Sequence, residues 1–296
     1  MPESTSTFTD LASCQTKVLW EEDFRGPAGL VPSVAYTDGR NSTGPFYWQP
    51  DIGDGADGPG VGWGNNESEF YINDAIALDG SPEGALVITA TRTDSTNGPT
   101  GWESRPDWAY VSGKLTTAGR VSFHYGLFEA RIKSPTELGS WSAVWMLGDS
   151  LLHGNSWPQC GEIDVLEAVG QEPCHLLGTI HGPGYSADAG VTKKIEHSAA
   201  LSDDFHTYAV LWLQDSITWY FDAKPYHRVT AADIGEHEWV FNQPFYAIIN
   251  LAMGGTLGGA LHDDVQSCQI FVDYVRHSAV QRDADGEFVG EVILHS

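Results

Sequence analysis

Apolar and polar positions alternate along much of this chain. In "GLFEARIKS", Phe128, Ala130 and Ile132 are separated by Glu129, Arg131 and Lys133. A period of two is the mark of a half-buried strand. The runs "KVLWEEDF" (17–24), "ALVITATRT", "SAVWMLG", "GEIDVLEAVG", "LLGTIHG", "HTYAVLWLQ", "SITWYFDAK", "PFYAIINLAMGG" and "QIFVDYVRHSAV" read as strands between turns. "LQDSITWYFDAKP" predicts a hairpin that turns at 214–216 and leaves the sheet at Asp222. Helical periodicity is confined to a single turn's worth in "VTAADIGEHEW". Residues 38–66 carry so many Gly, Pro, Asp and Asn residues that they predict a long loop, and loops of that length in compact domains are often functional. Residues 1–16 predict a polar tail. No repeat and no break in composition divides residues 17–296, which read as one antiparallel β-sandwich.

Composition narrows the functional classes. With 41% hydrophobic and 11% aromatic residues, the 296-residue chain can bury a large core, and Gly 33 and Pro 15 suit many short strands and turns. A net charge of -25 argues against nucleic acid and anionic membrane surfaces, both of which need basic patches. No apolar run is long enough to span a bilayer. The opening "MPESTSTFTDLAS" has neither a basic nor an apolar signal region, so the protein is cytoplasmic or its signal has been removed. Cys14, Cys160, Cys174 and Cys268 have no metal-ligand spacing. Cys14 and Cys268 lie near the first and last strands, where a disulfide and free thiols both remain open.

The unusual segment is "GEIDVLEAVG", which sets Glu162, Asp164 and Glu167 among apolar residues. In a strand, residues two apart share a face, so Glu162 and Asp164 point together. Perfect alternation would send Glu167 the other way. A β-bulge at Val165 and Leu166 would return it to the same face. Crowded carboxylates raise one another's pKa, which suits glycoside hydrolysis: one group attacks ionised while another delivers a proton. A solvated strand face or a divalent-cation site is the alternative. Trp141, Trp145 and Trp157 surround the acids in sequence; Trp141 and Trp157 read as cleft residues, and Trp145 fits core or cleft. His181 would adjoin the row across a hairpin. Aromatic faces of this kind stack on sugar rings, and a neutral polysaccharide agrees with the acidic total charge.

These motifs resemble glycoside hydrolase family 16. "GEIDVLEAVG" is similar to the bulged form of its signature, E-[ILV]-D-x-x-E. The order of "LWEEDF", "GNNESEFY", "WSAVWMLG", "HGPGYS", "ITWYFDAKP" and "FVDYVR" resembles the laminarinase-like branch, the endo-β-1,3-glucanases. The resemblance implies a β-jelly-roll with a cleft on its concave sheet and retaining endo-hydrolysis of β-1,3-glucan. Glu162 would be the nucleophile, Glu167 the acid/base, and Asp164 the residue that sets their protonation. Asn65, Trp141, Trp145, Trp157 and His181 would contact the glucan. The resemblance implies no cofactor for catalysis but allows a structural calcium, held by the Asp273 carboxylate and the backbone carbonyls of Asp23 and Gly84. A polysaccharide substrate, a monomer and an extracellular location are expected. Departures are Ser142 after Trp141, Thr256 and Leu257 in place of a Trp-containing segment, and Lys114 where Arg is frequent. Rival readings are a non-catalytic β-glucan-binding module, which the retained glutamates disfavour, and a family hydrolase or transglycosylase for another glucan or galactan. A structural protein without sugar binding would leave the acid row unexplained.

Overall fold

The computed structural model describes residues 8–41, 43–94, 96–105, 107–281 and 286–295. Its strands form two sheets. One runs in the order Val191–Glu196, His175–His181, Glu162–Val169, Ser140–Gly148, Phe245–Met253, Lys114–Thr116 and Gln49–Pro50, with Val121–His124 and Glu291–Leu294 alongside, nine in all among the described residues. The other holds eleven among the described residues, with Gly126–Lys133 and the long Ser267–Gln281 at its centre. Named strand pairs are antiparallel apart from Glu69–Tyr71 with Tyr110–Ser112. This is the two-sheet sandwich that the alternating pattern predicts, and the jelly-roll that the family resemblance implies.

The two-residue period explains how the nine-stranded sheet can bury both of its faces. Phe245, Ala247, Ile249, Leu251 and Met253 enter the main core with Val144, Met146, Ile163 and Leu166. Their neighbours Ile248 and Ala252, with Trp141, Trp145 and Leu147, join small clusters of their own instead. That second face is the floor of a cleft. Trp48, Phe123, Phe128, Trp212 and Trp219, all nearly or fully inaccessible, fill the space between the sheets.

Several expectations change. The chain does not leave the sheet at Asp222. Asp222 and Ala223 take positive φ, of 47° and 62°, and the chain folds straight back as the strand Lys224–Thr230. Neither residue is Gly, so the turn lacked its usual signal. The 38–66 loop contains the strand Gln49–Pro50 and a 3₁₀ turn, Val61–Gly64. The polar tail is partly docked: Leu11 and Cys14 pack against the outer face of the eleven-stranded sheet, and the Tyr220 hydroxyl donates to the Thr9 carbonyl at 2.9 Å. Residues 1–7 of that tail lie outside the described residues. No disulfide joins Cys14 to Cys268, and all four cysteines are free. Thr16 pairs with Val280 while Cys268 lies at the opposite end of the same long strand, so the two thiols are far apart.

Candidate active site

The bulge is where the acid spacing requires it. On one side, Val144 pairs with Leu166 and the next residue, Trp145, pairs with Asp164. On the other, Asp164 faces Thr179 and Glu167 faces Leu177. Val165 is the extra residue. Val165, Leu166 and Ile163 are all buried in the core, and Glu162, Asp164 and Glu167 line one cavity on the opposite face. Gly161 introduces the row with φ +79°, and a Cβ there would lie 2.9 Å from Val240 and 3.0 Å from Phe245. A side chain at this position would displace the approach to Glu162.

The expected sugar-contacting residues gather around the row. Trp157, 43% exposed, donates its indole N–H to Glu162 Oε2 at 2.5 Å. Its ring lies 6.1 Å from that of His181, whose Nε2 is 3.3 Å from Asp164 Oδ2. Asn65, Trp141 and Trp145 line the same cavity with Glu67, Ala143 and Asn250. Trp145 therefore belongs to the cleft floor. A roomier cavity of about 330 Å³, bordered by Lys133, Glu137 and Cys268, lies elsewhere and contains none of the three acids.

Sequence reasoning missed a chain of hydrogen bonds under this floor. Asn65 Nδ2 donates to Glu67 Oε1 at 3.0 Å, and the Tyr71 hydroxyl donates to Glu67 Oε2 at 3.2 Å. Asn250 Nδ2 donates to the Tyr71 oxygen at 3.0 Å, and Asn250 Oδ1 accepts from Trp145 Nε1 at 2.8 Å. Two expected sugar-contacting residues, Asn65 and Trp145, are thus held by one network. Lys114 packs its ammonium 3.6 Å from the Trp63 ring centroid and pairs with Asp51 at 3.2 Å. The "GNNESEFY" segment was the available signal for Glu67 and Tyr71; nothing in sequence tied them to Asn250.

The three carboxyls titrate as one set, because each charge raises its neighbours. Burial, then the charge of Asp164, pushes Glu162 up to about 8 against the pull of His181 and the Trp157 N–H. Burial, then Glu162, raises Glu167 to about 7, opposed by His181, Trp141 and Thr179. Burial, then Glu167, holds Asp164 well above the carboxylate range. Ligand atoms of Glu162, Asp164 and His181 lie within 4.8 Å of one another, a spacing that could also hold a metal ion. Such an ion would occupy the ionisable groups that hydrolysis needs.

The residues expected to hold calcium are differently engaged. Asp273 Oδ1 accepts from Arg25 Nη2 at 3.0 Å and Oδ2 from Arg131 Nη1 at 2.5 Å. Arg25 Nη1 also reaches the Gly84 carbonyl at 3.4 Å, and the Asp23 side chain accepts from the Arg25 backbone amide at 3.3 Å. Two guanidinium groups around one carboxylate supply positive charge where a cation would need negative charge, so this set does not fit calcium.

The raised acids have a measurable consequence. The folded protein keeps protons that the unfolded chain releases above about pH 4.5, the ordinary Glu value. Their stabilisation is complete below that point and is lost as pH rises through about 7 and about 8. Glu167→Gln should therefore melt higher than the wild type at pH 8, with the gap closing towards pH 4.5. Scanning fluorimetry across this range checks it, and a gap independent of pH would contradict the raised values.

Comparison with known proteins agrees with this geometry. Residues 83–276 match the family model for glycosyl hydrolases family 16. A β-glucanase of Rhodothermus marinus is 36% identical over 242 residues, covering 78% of this chain and 79% of that protein. The glucan endo-1,3-β-glucosidase A1 of Niallia circulans is 32% identical across 92% of this chain, which spans only 39% of that longer protein. The crystal structure of an endo-β-1,3-glucanase from Pyrococcus furiosus superposes with a TM-score of 0.76 at 34% identity, covering 96% of this chain and 98% of that one. With the acid row on the cleft floor and these matches along most of its length, the chain belongs to glycosyl hydrolases family 16 and is a glycoside hydrolase.

Proposed function

We propose that this protein is a retaining endo-β-1,3-glucanase in which Glu162 is the nucleophile and Glu167 the general acid/base. The observation that carries the reading is the bulge: it places both glutamates on the cleft floor with Asp164 between them. Glu162 attacks the anomeric carbon while Glu167 protonates the bridging oxygen, whose bond to that carbon breaks. Water then attacks the glycosyl–Glu162 ester, Glu167 takes the water's proton, and two inversions give net retention. Asp164, raised by burial and then by the charge of Glu167, couples the protonation of the two glutamates.

Glu162 and Glu167 titrate as a coupled pair whose first charge can sit on either group, and this mechanism needs it on Glu162. The two arrangements hold the same number of protons. A glycosidic oxygen has lone pairs and no hydrogen, so it repels an ionised Glu167 and accepts from a protonated one. Positive charge developing at the anomeric carbon favours the Glu162 anion. Substrate therefore selects the productive arrangement, and the Trp157 N–H is already in place to stabilise it.

The substrate assignment draws on relatives named as β-glucanase and glucan endo-1,3-β-glucosidase. A neutral glucan also suits an acidic chain. Such a polymer lies outside cells, which supports secretion, and no second subunit is needed to complete the acid row, which supports a monomer. A non-catalytic binding role would leave the pKa-shifted pair without a use. Laminarin should be cut internally and fastest, with mixed-linkage glucan slower; faster cleavage of agarose or carrageenan would overturn the assignment.

The roles of the two glutamates separate in azide trapping. Glu162→Ala should lose essentially all turnover, and azide occupying the vacated space should give an α-glycosyl azide from an activated substrate. Glu167→Ala should still form the glycosyl-enzyme, and azide should release it as the β-anomer. A β-azide from Glu162→Ala would reverse the assignment.

We propose further that the Arg25–Asp273–Arg131 cluster replaces a structural calcium in this chain. Excess chelator should leave the melting curve unchanged, because a bound cation stabilises only where its site exists. A lowered melting temperature, with stoichiometric metal found by elemental analysis, would contradict this.

A further inference from the structure

The strand opposite the bulge, in the other sheet, is Ser216–Phe221. From it Trp219, wholly buried, sends its indole N–H across the core to the carbonyl oxygen of Asp164 at 2.7 Å. Asp164 is the last residue before the register shift, where the ladder to the neighbouring strand is interrupted. A carbonyl beside a bulge loses regular pairing, and a buried carbonyl without a donor costs about 1–3 kcal/mol.

The surroundings fit this contact. Gly178 faces the interruption. A Cβ there would lie 2.5 Å from Trp219 Cδ1, 2.8 Å from its Nε1 and 2.5 Å from the Tyr226 hydroxyl. The missing side chain is the opening through which the indole reaches the bulge. The Trp219 ring stacks on His227, its cross-strand partner, at 4.8 Å between centroids and 29° between planes. This fixes the plane of the ring and the direction of its N–H.

We infer that Trp219 is a positioning residue for hydrolysis: by holding the Asp164 carbonyl from the opposite sheet, through the gap at Gly178, it fixes the bulge that presents Glu167 to the substrate. The inference rests on Glu167 as the acid/base. Misplacing a reacting group by about 1 Å can cost about 100-fold in rate, so a donor that sets the bulge acts on kcat. It makes no contact with sugar and leaves KM alone.

The test is Trp219→Phe, which keeps an aromatic ring and deletes the donor. Its control is Trp212→Phe. Trp212 is equally buried in the same sheet and donates to the Phe241 carbonyl at 2.9 Å rather than to a residue of the acid row. Trp219→Phe should lower kcat by about 10- to 100-fold with KM within about twofold, and should shift the pH profile of kcat as the Glu162–Glu167 coupling changes. Trp212→Phe should lower the melting temperature and leave kcat and the pH profile unchanged. If Trp219→Phe does not fold, benzothienylalanine at position 219, which has the same shape without the N–H, should give the same kcat loss. Unchanged kcat in the folded variant, or an equal loss in the Trp212 control, overturns the inference. Failure of the acid/base reading is separately visible, because Glu167→Ala would then keep its turnover whatever Trp219→Phe does.

Discussion

The row Glu162, Asp164, Glu167 shares one face because the strand carrying it has one residue more than its neighbours. Were that residue paired regularly instead of bulged, Glu167 would turn into the dry space between the sheets and Leu166 out of it. An unpaired buried carboxylate costs several kcal/mol even after relaxation, and an exposed leucine forfeits roughly 1.5–3 kcal/mol more. An interrupted ladder costs about 1 kcal/mol per lost hydrogen bond, and the Trp219 N–H offsets part of that. The inequality fixes the register, and the register assembles the site.

The same burial creates the chemistry. Carboxyls in a well-hydrated cleft would all ionise near their ordinary values and could not divide into acid and nucleophile. Here low hydration and mutual repulsion hold all three above the usual range, so protons remain in the row at neutral pH. Trp157 and His181 supply the opposing stabilisation. The network from Asn65 through Glu67, Tyr71 and Asn250 to Trp145 gives the cleft floor a defined shape for a substrate with many hydroxyls.

The sandwich was legible because long strands alternate, and the bulge because a Glu-x-Asp-x-x-Glu spacing on one face admits few other geometries. Short strands such as Glu69–Tyr71 and Tyr110–Ser112 were not, since three residues carry too little periodicity. The strand Lys224–Thr230 was hidden by a turn made without glycine. Contacts between distant residues left no local trace. Asn250 meets Tyr71 at 179 positions' separation, and Arg25 meets Asp273 at 248. The partner of Asp273 was hidden for that reason: it is an arginine near the start of the chain.

Neutron diffraction, with a thio-linked β-1,3-glucan oligosaccharide spanning the cleft, tests the central claim most directly, because it locates both the carboxyl groups and their protons. The account predicts Glu162, Asp164 and Glu167 on the sugar-facing side of the sheet, deuterons on Asp164 and on Glu167 towards the bridging atom, and none on Glu162. A deuterated Glu162 with a bare Glu167 beneath the bound sugar, or Glu167 turned into the core, would contradict it.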